Sequence, residues 1–151
     1  MYENTHDKIS VWKQFSKYHY LDSSFAKQAE QYVCVLDGSL VAHTGVIQFP
    51  MRKGWKRIHR LVVLPDFQGI GIGIRFLNAV ASLVSMRGHR LNLTTTTPAL
   101  VIPLKRNPNW ELVRAGVVKF GDIDRRPGCE KRKLRNSSSE RRPTFSFNYV
   151  L

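Results

Sequence analysis

A mixed α/β fold, with one central sheet flanked by helices, is predicted for this 151-residue chain by three observations. Short β-branched runs alternate with stretches of helical periodicity. Turn signals separate them at short intervals. The run "RLVVL" passes through Pro65-Asp66 into a glycine-rich loop and then into an amphipathic stretch. The length suits one domain with one core, so residues 1–151 are read as a single unit.

"HDKISVWKQFSKY" opens the chain as a short helix, with Ile9, Trp12 and Phe15 at helical spacing. "SSFAKQAEQ" reads as a second short helix behind a serine cap. "YVCVL" and "LVAHTGVIQF" are strands joined by Asp37-Gly38, a hairpin signal. Pro50 to Lys56 is a turn, and "RIHRLVVL" is the next strand, ended by Pro65. From Gly73 the apolar spacing changes from two to three and four. Ile74, Leu77, Val80, Ala81 and Val84 then share one helix face, and Gly88 stops it. "RLNLTTTT" is a strand. "PALVIPLKRN" is a helix opened by Pro98 and shortened or kinked by Pro103. "WELVRAGVVKF" and "TFSFNYVL" are the last two strands, the latter with Phe145, Phe147 and Tyr149 alternating. Between them lies a basic stretch at about 125–143, in which "RNSSSERRP" is expected to be flexible.

Charge is the unusual feature of the composition. Lys plus Arg number 24 against 11 Asp plus Glu, a net +13, which attracts anionic partners. Eight basic residues fall between Arg125 and Arg142 against Glu130 and Glu140. Arg125, Arg126, Lys131, Arg132, Lys133 and Arg135 lead this segment. It reads either as a solvated loop or as a surface for nucleic acid. No apolar run is long enough for a bilayer span, and the N-terminus lacks the order of a secretory signal. Cys34 and Cys129 sit in unlike surroundings, so a reduced, cytoplasmic protein is expected. No Cys/His spacing supports a metal site, and no nucleophile elbow is present.

The loop "QGIGIG" suggests an anion at a helix N-terminus, where unpaired amides converge and the dipole favours negative charge. Glycine lets a phosphate approach the backbone. The dinucleotide fingerprint fails from Gly69, where Ile74 falls on the third glycine, and from Gly71, where Phe76 does. A P-loop fails because Ile74 and Arg75 follow Gly73. Gln68-Gly69-Ile70-Gly71-Ile72-Gly73 instead reads Q-x-x-G-x-G. With the preceding "RLVVLPDF" it resembles the acetyl-CoA-binding signature of the GNAT superfamily of N-acetyltransferases. The order of elements over roughly residues 7 to 151 agrees. The resemblance implies the GNAT-like acyl-CoA N-acyltransferase fold, with a first strand that is either missing or short, "MYENT" then being its remnant. "HRLVVLPDFQGIGIG" is also similar to acetyltransferase domains fused to ABC-type ATPases, which leaves open a larger protein, as it does a homodimer.

The resemblance further implies that the backbone from Gln68 to Gly73 faces the pyrophosphate of acetyl-CoA, the co-substrate. Arg75 adds charge nearby or is simply an exposed helix residue. The backbone of Leu61 and Val63 pairs with the pantetheine arm, and an amide near Leu61 or Val62 polarises the thioester carbonyl. Asn92, or one of Thr94 to Thr97, bonds the pantetheine amide, or these residues serve β-structure alone. His59 is the candidate base, sharing a face with Arg57 and Leu61 by alternation. Tyr18, His19 and Tyr20 are candidates for contact with the acceptor. The family often carries a tyrosine as general acid where this chain has Lys105, so that acid is absent or supplied from elsewhere.

The function implied is transfer of an acetyl group to an amine of a small molecule or protein by direct attack. The alternative is a weak or inactive module that binds nucleic acid or an acidic partner through its basic stretch. Net positive charge disfavours cationic acceptors. Glu30, Asp22 and Glu111 are the only carboxylates that topology places near the acceptor.

Overall fold

The computed structural model describes residues 5–18, 26–50, 52–117 and 143–150. Helix α1 (Thr5–Ser16) precedes strands β1 (Glu30–Leu36), β2 (Ser39–Gln48) and β3 (Trp55–Val63). A 3₁₀ turn (Pro65–Phe67) leads to α2 (Ile72–Met86). Then come β4 (Arg90–Thr95), α3 (Pro98–Arg106), β5 (Trp110–Val117) and β6 (Pro143–Tyr149). The strands form one mixed sheet in the order β1-β2-β3-β4-β6-β5. Only β3 and β4 run parallel; every other pair is antiparallel.

The β1–β2 hairpin turns on Asp37 and Gly38, both at positive φ (49° and 77°), as a two-residue turn of this twist requires. Helix α2 buries Phe76, Leu77, Val80, Ala81 and Val84 against one sheet face. There Val46, Ile58, Leu91, Leu93, Trp110 and Phe147 complete the larger core. The indole N–H of Trp110 donates to Asn78 Oδ1 at 2.7 Å, which satisfies the polar edge of this buried ring. The other face carries a smaller core of Val11, Trp12, Phe15 and Val62. His43, fully buried, has its ring 5.2 Å from that of Trp12 and 5.4 Å from that of Phe15.

Several expectations are corrected. The second short helix does not form over its described part: Ala29 N–H closes a tight turn on Ala26, and Glu30 is already paired with Val46 in β1. Cross-strand pairing wins over the short run's helical propensity. On α1 the buried residues are Val11, Trp12 and Phe15, whereas Ile9 is exposed. Strand β3 begins at Trp55 rather than after Lys56, because Phe49 N–H bonds the Trp55 carbonyl. Strand β4 ends at Thr95, before the threonine run does. Gly73 belongs to the helix, not the loop. "MYENT" lies outside the described residues except Thr5, which opens α1.

The largest correction concerns β3. Gly45 faces Arg60 and Val46 faces Ile58, so His59 is the extra residue of a β-bulge. Ile58 packs in the larger core, and so do Leu61 and Val63, which strict alternation forbids. The bulge resets the parity, and Arg57 and Leu61 therefore lie on opposite faces.

Candidate functional site

Strands β3 and β4 pair only at Trp55–Arg90, Lys56–Leu91 and Arg57–Asn92. Beyond that point they separate. Strand β3 continues to Val63 bonded to β2 alone, and β4 continues to Thr95 bonded to β6. The sheet thus opens into a cleft toward the carboxyl ends of two parallel strands, the end at which α/β folds hold ligands. His59, half-buried, stands at the bulge where the cleft begins. Leu61, Val62 and Val63 form its β3 edge. Their side chains are committed to the two cores, so the backbone is what the edge offers.

The 3₁₀ turn carries the chain from the tip of β3 to the glycines. Gln68 N–H donates to the Pro65 carbonyl at 3.1 Å, and its side-chain amide donates to the Val63 carbonyl at 2.8 Å. Gln68 therefore ties the loop to β3, and its own amide is already spent. Gly69 and Gly71 have φ of 81° and 84°, which a residue with a side chain rarely adopts. A Cβ on either would meet no heavy atom within 4 Å, so the backbone is bare to open space. Gly73 is helical, and a Cβ there would sit 3.4 Å from a methyl of Val63. Two glycines thus answer to backbone conformation, whereas at the third a Cβ would make only ordinary contact.

Helix α2 begins at this open point. Its first internal bond runs from Arg75 N–H to the Gly71 carbonyl, 3.2 Å. The amides of Ile72, Gly73 and Ile74 consequently have no acceptor within the helix. No side chain caps the end, and no acidic residue lies in the first turn. Arg75 does, and it is exposed. The arrangement suits an anion: bare amides, the positive end of a 15-residue helix and a cation alongside.

The sheet face opposite α2 carries a second concavity at the same split, a cavity of about 500 Å³. Its floor is Asn92 and Thr94 of β4 with Thr144, Ser146 and Asn148 of β6. Asn92 is buried, and its amide nitrogen donates to Ser146 Oγ, the Phe147 carbonyl and Asn148 Oδ1 at 2.9–3.0 Å. Its donors are thus held by β6, and its carbonyl oxygen accepts from Thr94 Oγ1 at 3.4 Å. Thr95 Oγ1 accepts from Thr97 N–H at 3.1 Å. One wall is Phe49 and Arg52, from the β2–β3 connection. The Arg52 guanidinium lies 5.3 Å from the Phe49 ring centre and 5.2 Å from that of Trp55. Arg57 approaches Phe49 from 5.9 Å, and Arg90 approaches Trp55 from 5.4 Å. The opposite wall is Val113 and Arg114, consecutive residues that reach the same cavity because β5 is bulged between Leu112 and Arg114.

The sequence signalled the loop but not this cavity. A signal existed: Thr144, Ser146 and Asn148 alternate with the aromatic residues of β6 and so define a polar face.

Other candidates lie apart. Tyr18 is exposed, with the Lys17 ammonium 4.8 Å above its ring. His19, Tyr20, Asp22 and the basic residues Arg125, Arg126, Lys131, Arg132, Lys133 and Arg135 lie outside the described residues. Lys105 is exposed on α3 with its ammonium 5.3 Å from the Phe145 ring centre. Glu30 is engaged elsewhere, paired with the buried Lys56 and with Arg87 at 3.4 Å. Burial pushes the Glu30 carboxyl up. The bond and charge of Lys56, with Tyr32 and Arg87, outweigh that and hold it below its ordinary 4.5. Glu111 is exposed and borders a different depression, beside His89 and Arg90. Tyr32 bonds Glu30 and Arg87, and Tyr149 bonds Ser82, so neither faces the cleft freely. Among the described residues no group of three or more His, Cys, Asp or Glu is placed to hold a metal ion, and no helix is long and apolar enough to cross a membrane.

Comparison with known proteins agrees with this geometry. The acetyltransferase (GNAT) domain model matches residues 2–100. The fold is similar to an acetyltransferase from Bacillus subtilis in complex with CoA, at 13% identity over 99% of this chain and 95% of that one, with a TM-score of 0.66. It is similar to the ribosomal-protein-S18-alanine N-acetyltransferase from Escherichia coli, at 11% identity over 95% and 87%, with a TM-score of 0.63. A GNAT family acetyltransferase from Elizabethkingia anophelis with acetyl-CoA bound is similar at 15% identity over 94% and 82%, with a TM-score of 0.57. No curated protein matches the chain.

Proposed function

Because the chain belongs to the GNAT acetyltransferase family and is an acetyl-CoA-dependent acyltransferase, we propose that it acetylates an amine by direct attack, with the coenzyme in the cleft between β3 and β4. The observation that carries this reading is the junction of that cleft with the uncapped N-terminus of α2, bare over Gly69 and Gly71. Acetyl-CoA supplies the thioester whose acetyl group is transferred. The amides of Ile72, Gly73 and Ile74 hold its pyrophosphate, aided by the dipole of α2 and by Arg75. The edge of β3 that β4 leaves open, at Leu61 and at the Val63 N–H, accepts the pantetheine arm as a further strand would be accepted, the Val63 carbonyl being held by Gln68. An amide of that edge polarises the thioester carbonyl.

His59 takes the proton of the incoming ammonium, directly or through water, from its place where the cleft begins. Cys34, the one cysteine among the described residues, lies on β1, beyond β2 from the cleft. In direct attack the amine itself is the nucleophile, and Cys34 at that distance takes no part. Tyr18 is a candidate for contact with the acceptor. A second reading, a weak enzyme that binds nucleic acid through the basic stretch, draws on Lys105, which packs on Phe145 where the family often has tyrosine.

Calorimetry with acetyl-CoA tests the first reading. Asparagine and aspartate both tolerate the left-handed backbone of Gly71. Gly71→Asn therefore tests bulk in the cradle, and Gly71→Asp adds one negative charge to the same shape. Micromolar binding by the wild type, with Gly71→Asp weaker than Gly71→Asn by about tenfold or more, is expected. A folded wild type that does not bind acetyl-CoA would overturn the reading. Single-stranded RNA that binds in a salt-sensitive way without any acetyl transfer would favour the second.

A further inference from the structure

The cavity opposite α2 has a chemical preference of its own. It meets the cleft at Asn92, the last β4 residue paired with β3, and Thr94 carries its floor along the diverging strand. Its volume of about 500 Å³ suits a small molecule. Its floor is uncharged amide and hydroxyl. Its two walls present Arg52 and Arg114, and no acidic residue is among the described residues that line it. Neither arginine is in an ion pair among the described residues, where the two ion pairs both belong to Glu30. Arg52 is instead steadied by the faces of Phe49 and Trp55, which orient a guanidinium without neutralising it. Arg114 reaches the cavity because of the bulge in β5. Two guanidinium groups with no ion-pair partner among the described residues, set across one polar floor, are a receptor for an oxyanion, which they bind through paired N–H donors. A cationic acceptor such as a polyamine would meet repulsion from both walls.

We propose that the acceptor is a small primary amine that also carries a carboxylate or a phosphate, seated between Arg52 and Arg114 so that its amine reaches the cleft beside His59. This rests on the acetyltransferase reading above, and it narrows the acceptor to one chemical class.

Two measurements on the full chain decide it. The first is an NMR titration of the arginine side chains with inorganic phosphate and, separately, with acetate. It is run on the wild type, Arg52→Gln, Arg114→Gln and the control Arg106→Gln, a change on α3 away from the cavity. Phosphate or acetate is expected to bind the wild type and Arg106→Gln alike, and about tenfold or more weakly to each cavity variant. Whichever anion binds tighter identifies the group. Equal binding by all four proteins overturns the proposal.

The second measurement follows thiol release from acetyl-CoA with matched amines: ethanolamine against phosphoethanolamine, and propylamine against β-alanine. At least one anionic member is expected to exceed its neutral partner in kcat/KM by about tenfold, with the preference lost in Arg114→Gln. Neutral amines that react equally well or better overturn it. So does single-stranded RNA that binds in the same cavity and is released by the same two substitutions. The titration decides even when no amine is turned over. Failure of acetyl-CoA to bind in calorimetry would strike the acetyltransferase reading instead, with the anion result standing separately.

Discussion

Lowering the pH from 7 to 5 offers a proton to His43, whose ring is fully buried beside Trp12 and Phe15. Burial lowers its pKa from an ordinary 6.5 to about 4. In the unfolded chain the same ring titrates near its ordinary value, so the unfolded state takes up the proton first. Stability from the neutral ring is therefore fully present above pH 6.5 and is lost as pH falls toward 4. At about 1.36 kcal/mol per pH unit, the whole window is worth about 3 kcal/mol, of which about 2 kcal/mol is gone by pH 5. Against a typical domain stability of roughly 5–15 kcal/mol this is a large fraction. Urea unfolding of the wild type and of His43→Leu at pH 7, 6 and 5 measures it. The other four histidines are common to both proteins, so the difference between the two pH profiles belongs to His43. The wild type is expected to lose about 2 kcal/mol more than the variant between pH 7 and 5. Parallel profiles would refute the assignment of this loss to His43.

The ion pair beneath the hairpin should respond asymmetrically in denaturant titrations. Glu30→Ala leaves the Lys56 ammonium buried without its carboxylate and is expected to cost about 3 kcal/mol, whereas Lys56→Met leaves a carboxylate that is 41% exposed and near Arg87, and costs under about 1 kcal/mol. Gly71→Ala forces a side chain into the left-handed region at about 1–2 kcal/mol, but Gly73→Ala, within a helix and at ordinary contact distance from Val63, should gain about 0.5–1 kcal/mol. Thermal melts of the two proteins should move in opposite directions. Leu77→Ala, which empties a fully buried position under the sheet, is expected to cost about 2–5 kcal/mol by urea unfolding. His59→Gln is expected to lower kcat by about 10²-fold or more with acetyl-CoA affinity unchanged in calorimetry; an unaltered rate would remove His59 from the base role.

What was legible in the sequence was local. Asp37-Gly38 specifies its turn because both positions need positive φ, and the spacing from Leu77 to Val84 specifies the buried face of α2. The loop from Gln68 to Gly73 was legible for the same reason. What was not legible depends on partners distant in sequence. The bulge at His59 is a property of the register between β2 and β3, and nothing within "RIHRLVV" marks it. The early start of β1 at Glu30 comes from pairing with Val46 and from Lys56. The cavity wall at Arg114 depends on a second bulge, and the wall at Arg52 on two aromatic rings from either side of a turn.

The parting of β3 from β4 has one more consequence. A sheet edge is ordinarily an invitation to any extended chain, and proteins cover or charge their outer edges to avoid joining one another. Here an unsatisfied edge lies in the middle of the sheet, walled by β4 and β6 on one side and roofed by α2. Another protein's sheet cannot slide in laterally to pair with it. A single slender molecule carrying its own amides can thread in lengthwise. The fold thus keeps the adhesive chemistry of an edge and restricts it by shape, so that hospitality to a ligand does not become a tendency to aggregate.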